Sequence, residues 1–98
     1  MDFINSYDFA LLKNEAEQLV VKELEKQINA YTGELCRCNE CVVDMAAIAL
    51  NKVKPLYRFS LLGTLYTAQA MNEKEYADSV QEAVAAAIVK VWNNPGHD

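Results

Sequence analysis

The chain has only three cysteines, Cys36, Cys38 and Cys41, and all lie within the six-residue run C-R-C-N-E-C. Thiolates this close together repel one another and take up protons unless a cation neutralises them. Zn²⁺ binds thiolate sulfur at about 2.3 Å, usually in a tetrahedral structural site. A loop with this spacing can surround one side of such an ion while its last cysteine begins a helix. We therefore expect one structural zinc per chain; the alternative is three reduced thiols in an ordinary loop.

The cysteine run has no obvious fourth ligand for a tetrahedral ion. Candidates within the chain are Glu40, Asp44 and the single histidine, His97, and a water molecule or a residue of another chain would also serve. His97 lies close to the C-terminus, where a solvated side chain is the ordinary interpretation. The sequence has no serine–histidine pair, Gly-rich phosphate loop or two-histidine motif. We therefore predict a protein that is not an enzyme.

Length and composition limit the possible classes of protein. The 98 residues suffice for one domain over residues 1–98, and their apolar content of 52% argues against disorder. The net charge of -5 and the pI of about 4.8 argue against direct nucleic-acid binding. No apolar run approaches the roughly 18 residues of a membrane span, and the acidic N-terminus is unlike a secretory signal. We expect a cytoplasmic protein, where clustered cysteines bind metal more often than they form disulfides.

Apolar residues recur at intervals of three and four in the first half of the chain, the spacing of amphipathic α-helices. This pattern predicts a first helix from about Phe9 to Tyr31, which Gly33 ends through a left-handed turn. It predicts a second helix from near Cys41 that must stop before Pro55, because proline lacks the N–H that a helix interior needs.

The second half of the chain is predicted to be helical after an extended or turn-like segment over residues 54–59. A short helix is expected over residues 61–71. The last helix has Asn72 as its N-cap and Glu75 as the capping-box partner, and its apolar stripe continues to Trp92. We therefore predict an all-α fold, a small compact bundle of about four to five helices that carries the cysteine loop.

Four of the nine basic residues of this acidic chain lie around Pro55 and in the cysteine loop: Arg37, Lys52, Lys54 and Arg58. Together with the ring of Tyr57, such cations can clamp a phosphate and stack a base. The alternative is a solvated helix end, at which the lysines complement the dipole of the last carbonyl groups.

Several motifs in the central third occur together. Asn14 and Glu17 form an Asn-x-x-Glu pair, the cysteine cluster follows, and A-L-N-K-V-K-P-L-Y over residues 49–57 precedes Gly63. This combination resembles the ComFB family of late competence development proteins. Many members of that family carry two prolines where this chain has Lys54-Pro55, so the chain departs from the pattern inside its basic segment.

The resemblance implies a small all-helical domain that forms a dimer, and it implies no known reaction. The alanine-rich run over residues 83–87 also favours a homodimer, because small side chains allow two helices to approach closely. Our first hypothesis is a non-enzymatic, zinc-binding protein associated with the late competence system for DNA uptake. The second hypothesis, which the resemblance implies for some relatives, is a receptor for a cyclic nucleotide of the cyclic di-GMP or cAMP type. A third hypothesis is a redox switch in which the loss of zinc frees the thiols.

Overall fold

The computed structural model describes residues 2–58 and 73–94, and three long helices dominate this part of the chain. The elements in chain order are α1 (Phe3–Ser6), a 3₁₀ turn (Phe9–Leu11), β1 (Lys13–Asn14), α2 (Ala16–Ala30), α3 (Asn39–Leu50), β2 (Tyr57–Arg58) and α4 (Glu73–Asn93). The only sheet among these residues is the two-residue antiparallel pair of β1 and β2. The predicted all-α bundle is thus confirmed as a mostly helical fold, which in the described residues also contains this short strand pair.

The core lies where α2, α3 and α4 meet, and α3 packs most extensively against α4. Each helix contributes residues spaced three or four apart, which lie on one face of a helix. The buried residues of these three helices are Ala16, Val20 and Leu24 of α2, Cys41, Met45 and Ala49 of α3, and Tyr76, Val80, Ala83, Val84, Ala87, Ile88 and Val91 of α4. No polar or charged residue of the described part is buried. Cys41 therefore begins the same apolar stripe that holds α3 against its neighbours.

The predicted start of the first long helix near Phe9 was wrong, because α2 begins at Ala16. The chain before α2 pairs instead with a distant segment. The Oδ1 atom of Asn14 accepts hydrogen bonds from the backbone N–H groups of Ala16, at 3.1 Å, and of Leu56, at 2.7 Å. The backbone N–H of Glu15 also donates to the carbonyl oxygen of Leu56 at 2.9 Å. These contacts turn the chain out of a helical path just before Glu15, the N-cap of α2.

The boundaries around the cysteine loop agree closely with the predicted ones. α2 ends at Ala30, and Gly33 takes a φ of +119°, a conformation that glycine adopts without strain. α3 begins at Asn39, two residues before the predicted start at Cys41, and it ends well before Pro55. The short strand β2 confirms part of the extended segment that the sequence predicted over residues 54–59.

α4 confirms the predicted final helix, and among residues 2–58 and 73–94 hydrogen bonds connect it to α2 and to the segment after α3. The hydroxyl of Tyr76 donates a hydrogen bond to the backbone carbonyl oxygen of Lys54 at 2.6 Å. The Nε2 atom of Gln27 donates one to the backbone carbonyl oxygen of Gln81 at 3.1 Å. The predicted short helix over residues 61–71 and the Asn72 N-cap lie outside the described residues. Over the ranges that the structure covers, no helix has both the length and the apolar character of a membrane span.

Candidate metal centre

The three cysteines converge at the N-terminal end of α3. Cys36 is half-buried in the loop after α2, Cys38 is exposed at the N-cap position of α3, and Cys41 is buried in its first turn. Their three Sγ atoms all lie within 4.8 Å of one another. The structure therefore brings together all three residues that the sequence predicted as metal ligands.

Local structure explains why the thiols point to the same place. Cys38 has extended backbone angles (φ -73°, ψ 163°), and its Sγ accepts a hydrogen bond from the backbone N–H of Cys41 with an N···S distance of 3.4 Å. A side-chain acceptor at the N-cap commonly bonds the N–H three residues on. The side chain of Cys38 is thereby directed over the first turn of α3, towards that of Cys41.

Two residues hold the cysteine loop in place, and neither of them was assigned to the metal site in the sequence analysis. Leu35 is buried in the core. The guanidinium of Arg37 donates to the carbonyl oxygens of Leu35, at 3.3 Å, and of Ile28, at 3.1 Å. The loop before Cys36 is thus attached to both the core and the C-terminal end of α2. Leu35 had a signal in the sequence, since it is the only aliphatic residue between Tyr31 and Cys38.

The spacing of the thiols suits a tetrahedral metal ion. Zinc–sulfur bonds of about 2.3 Å at tetrahedral angles would place the sulfur atoms about 3.8 Å apart. The Sγ atoms lie at most 4.8 Å apart, which exceeds that value by about 1 Å. Side-chain rotation can supply a change of that size. The three cysteines could therefore hold a metal ion without rearrangement of the backbone.

The thiols differ in their acidity. A hydrogen bond from the backbone of Cys38, with further hydrogen bonds from the side chains of Cys41 and Cys38, holds the pKa of Cys36 below its usual value. Burial, reinforced by the neighbouring thiols, raises the pKa of Cys41 to about 12. Without a cation, Cys41 therefore keeps its proton near neutral pH. A metal ion bound by all three sulfurs must displace that proton, so acid should weaken metal binding.

The described residues supply three ligands to this site. The group of close metal-binding side chains found in residues 2–58 and 73–94 consists of the three cysteines, and neither Glu40 nor Asp44 belongs to it. His97, the third candidate from the sequence, lies outside the described residues. The identity of a fourth ligand stays a prediction.

The predicted anion site does not form one cluster with Arg37. Arg37 bonds the C-terminal end of α2, whereas Tyr57 and Arg58 pair through their backbones with β1, which precedes the N-terminus of α2. α2 has 15 residues, so the two places are about 20 Å apart along it. Lys52 and Lys54 are exposed beyond the end of α3. This position suits the solvated helix end that was the alternative, and a ligand site in the segment stays a prediction.

Comparison with known proteins places this fold and site in a family. Residues 13–95 match the family model described as late competence development protein ComFB, and this range contains the cysteine cluster and every element from β1 to α4. No curated protein sequence matches the chain significantly. A solved structure of the late competence protein ComFB from Bacillus subtilis is 25% identical, with a TM-score of 0.66 over 87% of this chain and 92% of that chain. Because the family model covers most of its length, this chain belongs to the ComFB family of late competence development proteins.

Proposed function

We propose that this protein is a non-enzymatic, zinc-binding helical protein of the late competence system, located in the cytoplasm. The observation that carries the proposal is the convergence of three Sγ atoms within 4.8 Å at the start of α3. Thiolate sulfur favours zinc over the hard cations Mg²⁺ and Ca²⁺, and the positive end of the α3 dipole favours thiolates there. Membership of the ComFB family supports the association with late competence.

The zinc would have a structural role in this arrangement. Cys36 belongs to the loop that follows α2, whereas Cys41 belongs to the buried stripe of α3. An ion bound to both would connect the loop directly to the three-helix core. One zinc per chain would be held by three thiolates, and its fourth position would be filled by water, by His97 or by a residue of another chain.

Zinc content provides the first test. We expect purified protein to contain close to one zinc per chain, which a thiol-modifying reagent should release. Cys38→Ser should lower the zinc content and the melting temperature together, because it removes one thiolate ligand. Serine is among the best N-cap residues, and Cys38 is exposed, so this substitution should preserve the start of α3 and the core packing.

The metal-free proteins are the matched control for that test. Once zinc has been removed from both, wild type and Cys38→Ser should melt at nearly the same temperature. A wild-type protein that is equally stable with and without zinc would contradict the structural role. Protein that contains no zinc and takes up none would contradict the metal site itself.

We also propose that the protein is a homodimer. α4 buries one face in the core but leaves Ala85, Ala86 and Val89 exposed, a surface on which a second helix could pack closely. Chains of about 100 residues bury a smaller fraction of their surface than larger domains do, which favours association. Light scattering at micromolar concentration should give twice the chain mass of 11.0 kDa. A monomer mass that persists on concentration would contradict the dimer.

A further inference from the structure

We propose that Cys38 and Cys41 form a dithiol/disulfide pair, so that the metal centre is also a site of reversible oxidation. The inference has two parts: the two cysteines form a disulfide, and a bound ion and that disulfide exclude each other. Only the second part rests on the proposed zinc site. The formation of the disulfide itself follows from the position of the two cysteines on α3.

Helix geometry brings these two residues to a separation suited to a disulfide. Cys38 is the N-cap of α3 and Cys41 stands three residues on. In an α-helix, Cα atoms three residues apart lie about 5 Å from each other. Disulfides bridge Cα atoms that are roughly 4.4–6.8 Å apart. The bond can therefore form by rotation of the two side chains, whose Sγ atoms already lie within 4.8 Å.

The other two pairings are less favourable. Cys36 and Cys38 are two residues apart, and such a pair in extended backbone spans about 6.6 Å, near the upper limit for a disulfide. Cys36 also precedes the helix, in a loop that Leu35 and Arg37 attach to the rest of the fold. Its Sγ also lies within 4.8 Å of that of Cys41, but no helical repeat sets the separation of their Cα atoms, as the first turn of α3 does for Cys38 and Cys41.

The difference in exposure gives the two thiols different roles. Cys38 is exposed and open to an oxidant, whereas Cys41 has only 1% of its surface exposed. A small disulfide such as oxidised glutathione can therefore reach Cys38 but not Cys41. The thiolate of Cys38 attacks one sulfur of glutathione disulfide, forms a mixed disulfide and releases one reduced glutathione. Cys41, which holds its proton near neutral pH, then loses that proton to solvent, attacks Sγ of Cys38 and releases the second glutathione.

The net change oxidises two protein thiols to one disulfide and reduces one glutathione disulfide to two thiols. Two of the three sulfur ligands are then joined to each other, and a disulfide sulfur is no longer the thiolate that zinc binds. The ion must therefore leave when the bond forms. Conversely, bound zinc withholds both thiolates from the oxidant.

Peptide mapping of oxidised protein tests the pairing. The full chain, freed of metal with a chelator and fully reduced, is treated with oxidised glutathione and then alkylated. We expect alkylatable thiols to fall from three to one per chain, and mass spectrometry should find Cys38 joined to Cys41 with Cys36 alkylated. Cys36→Ser should form the same disulfide, and Cys41→Ser should stop at a mixed disulfide between Cys38 and glutathione.

Three results would overturn the inference. A disulfide that includes Cys36, or metal-free protein that keeps three alkylatable thiols, would exclude the proposed pair. Zinc-loaded protein that forms the disulfide without releasing zinc would exclude the competition between ion and bond. The mapping experiment uses metal-free protein, so a protein that bound no zinc would contradict the proposed function and leave the pairing test intact.

Discussion

Met45→Ala is expected to lower the free energy of unfolding by about 2–5 kcal/mol, the largest effect of any substitution considered for this protein. Met45 has 1% of its surface exposed and lies in the middle of the buried stripe of α3, between Cys41 and Ala49. Truncation to alanine removes buried apolar contacts and leaves a cavity that the neighbouring helices fill only partly. Urea unfolding followed by the helical circular dichroism signal measures the change.

Val43→Ala is the matched control on the same helix. Val43 is 56% exposed, so its truncation should change the free energy of unfolding by no more than about 0.5 kcal/mol. Similar losses for both variants would show that α3 does not turn the Cys41–Met45–Ala49 face towards the core. A loss confined to Met45→Ala would support the observed rotation of the helix and with it the buried position of Cys41.

Asn14→Ala is expected to lower the free energy of unfolding by about 2–3 kcal/mol. One side-chain oxygen of Asn14 accepts hydrogen bonds from two backbone N–H groups, those of Ala16 and Leu56. Alanine would leave both donors without this acceptor. The same urea unfolding measurement applies, and the midpoint should fall without a change in slope.

Asn14→Asp is the control that tests whether the lost hydrogen bonds cause the instability of Asn14→Ala. Aspartate keeps an oxygen at the same position, and a negative charge is favourable at the N-terminus of a helix. We therefore expect this variant to lose less than about 1 kcal/mol. An aspartate variant as unstable as the alanine variant would show that the acceptor oxygen is not what Asn14 contributes.

The sequence by itself determined the features that depend on neighbouring residues. The three-and-four spacing of apolar residues predicted most of α2 and α3, and the periodicity up to Trp92 predicted α4. The cysteine cluster was predictable for the same reason. Three cysteines within six residues are forced near one another by the chain itself, and the first turn of a helix then aligns Cys38 with Cys41.

Only the tertiary structure decided where α2 begins, because that boundary depends on a partner 42 residues away. The Oδ1 atom of Asn14 accepts a hydrogen bond from Ala16, the first residue of α2, and also one from Leu56. The spacing of apolar residues from Phe9 onward gives no indication of that second contact. One side chain can accept hydrogen bonds from both Ala16 and Leu56 only after the chain has folded back on itself.

The tertiary structure likewise decided how the candidate sites are arranged. Arg37 was grouped in the sequence analysis with the basic residues around Pro55. In the fold its guanidinium bonds the C-terminal end of α2, whereas Tyr57 and Arg58 pair with β1 near the N-terminal end of that helix. The exposure of Cys38 and the burial of Cys41 also follow from packing, because α3 turns only one face towards α2 and α4. Spacing along the chain fixes which thiols can meet; the orientation of α3 in the core fixes which of them solvent can reach.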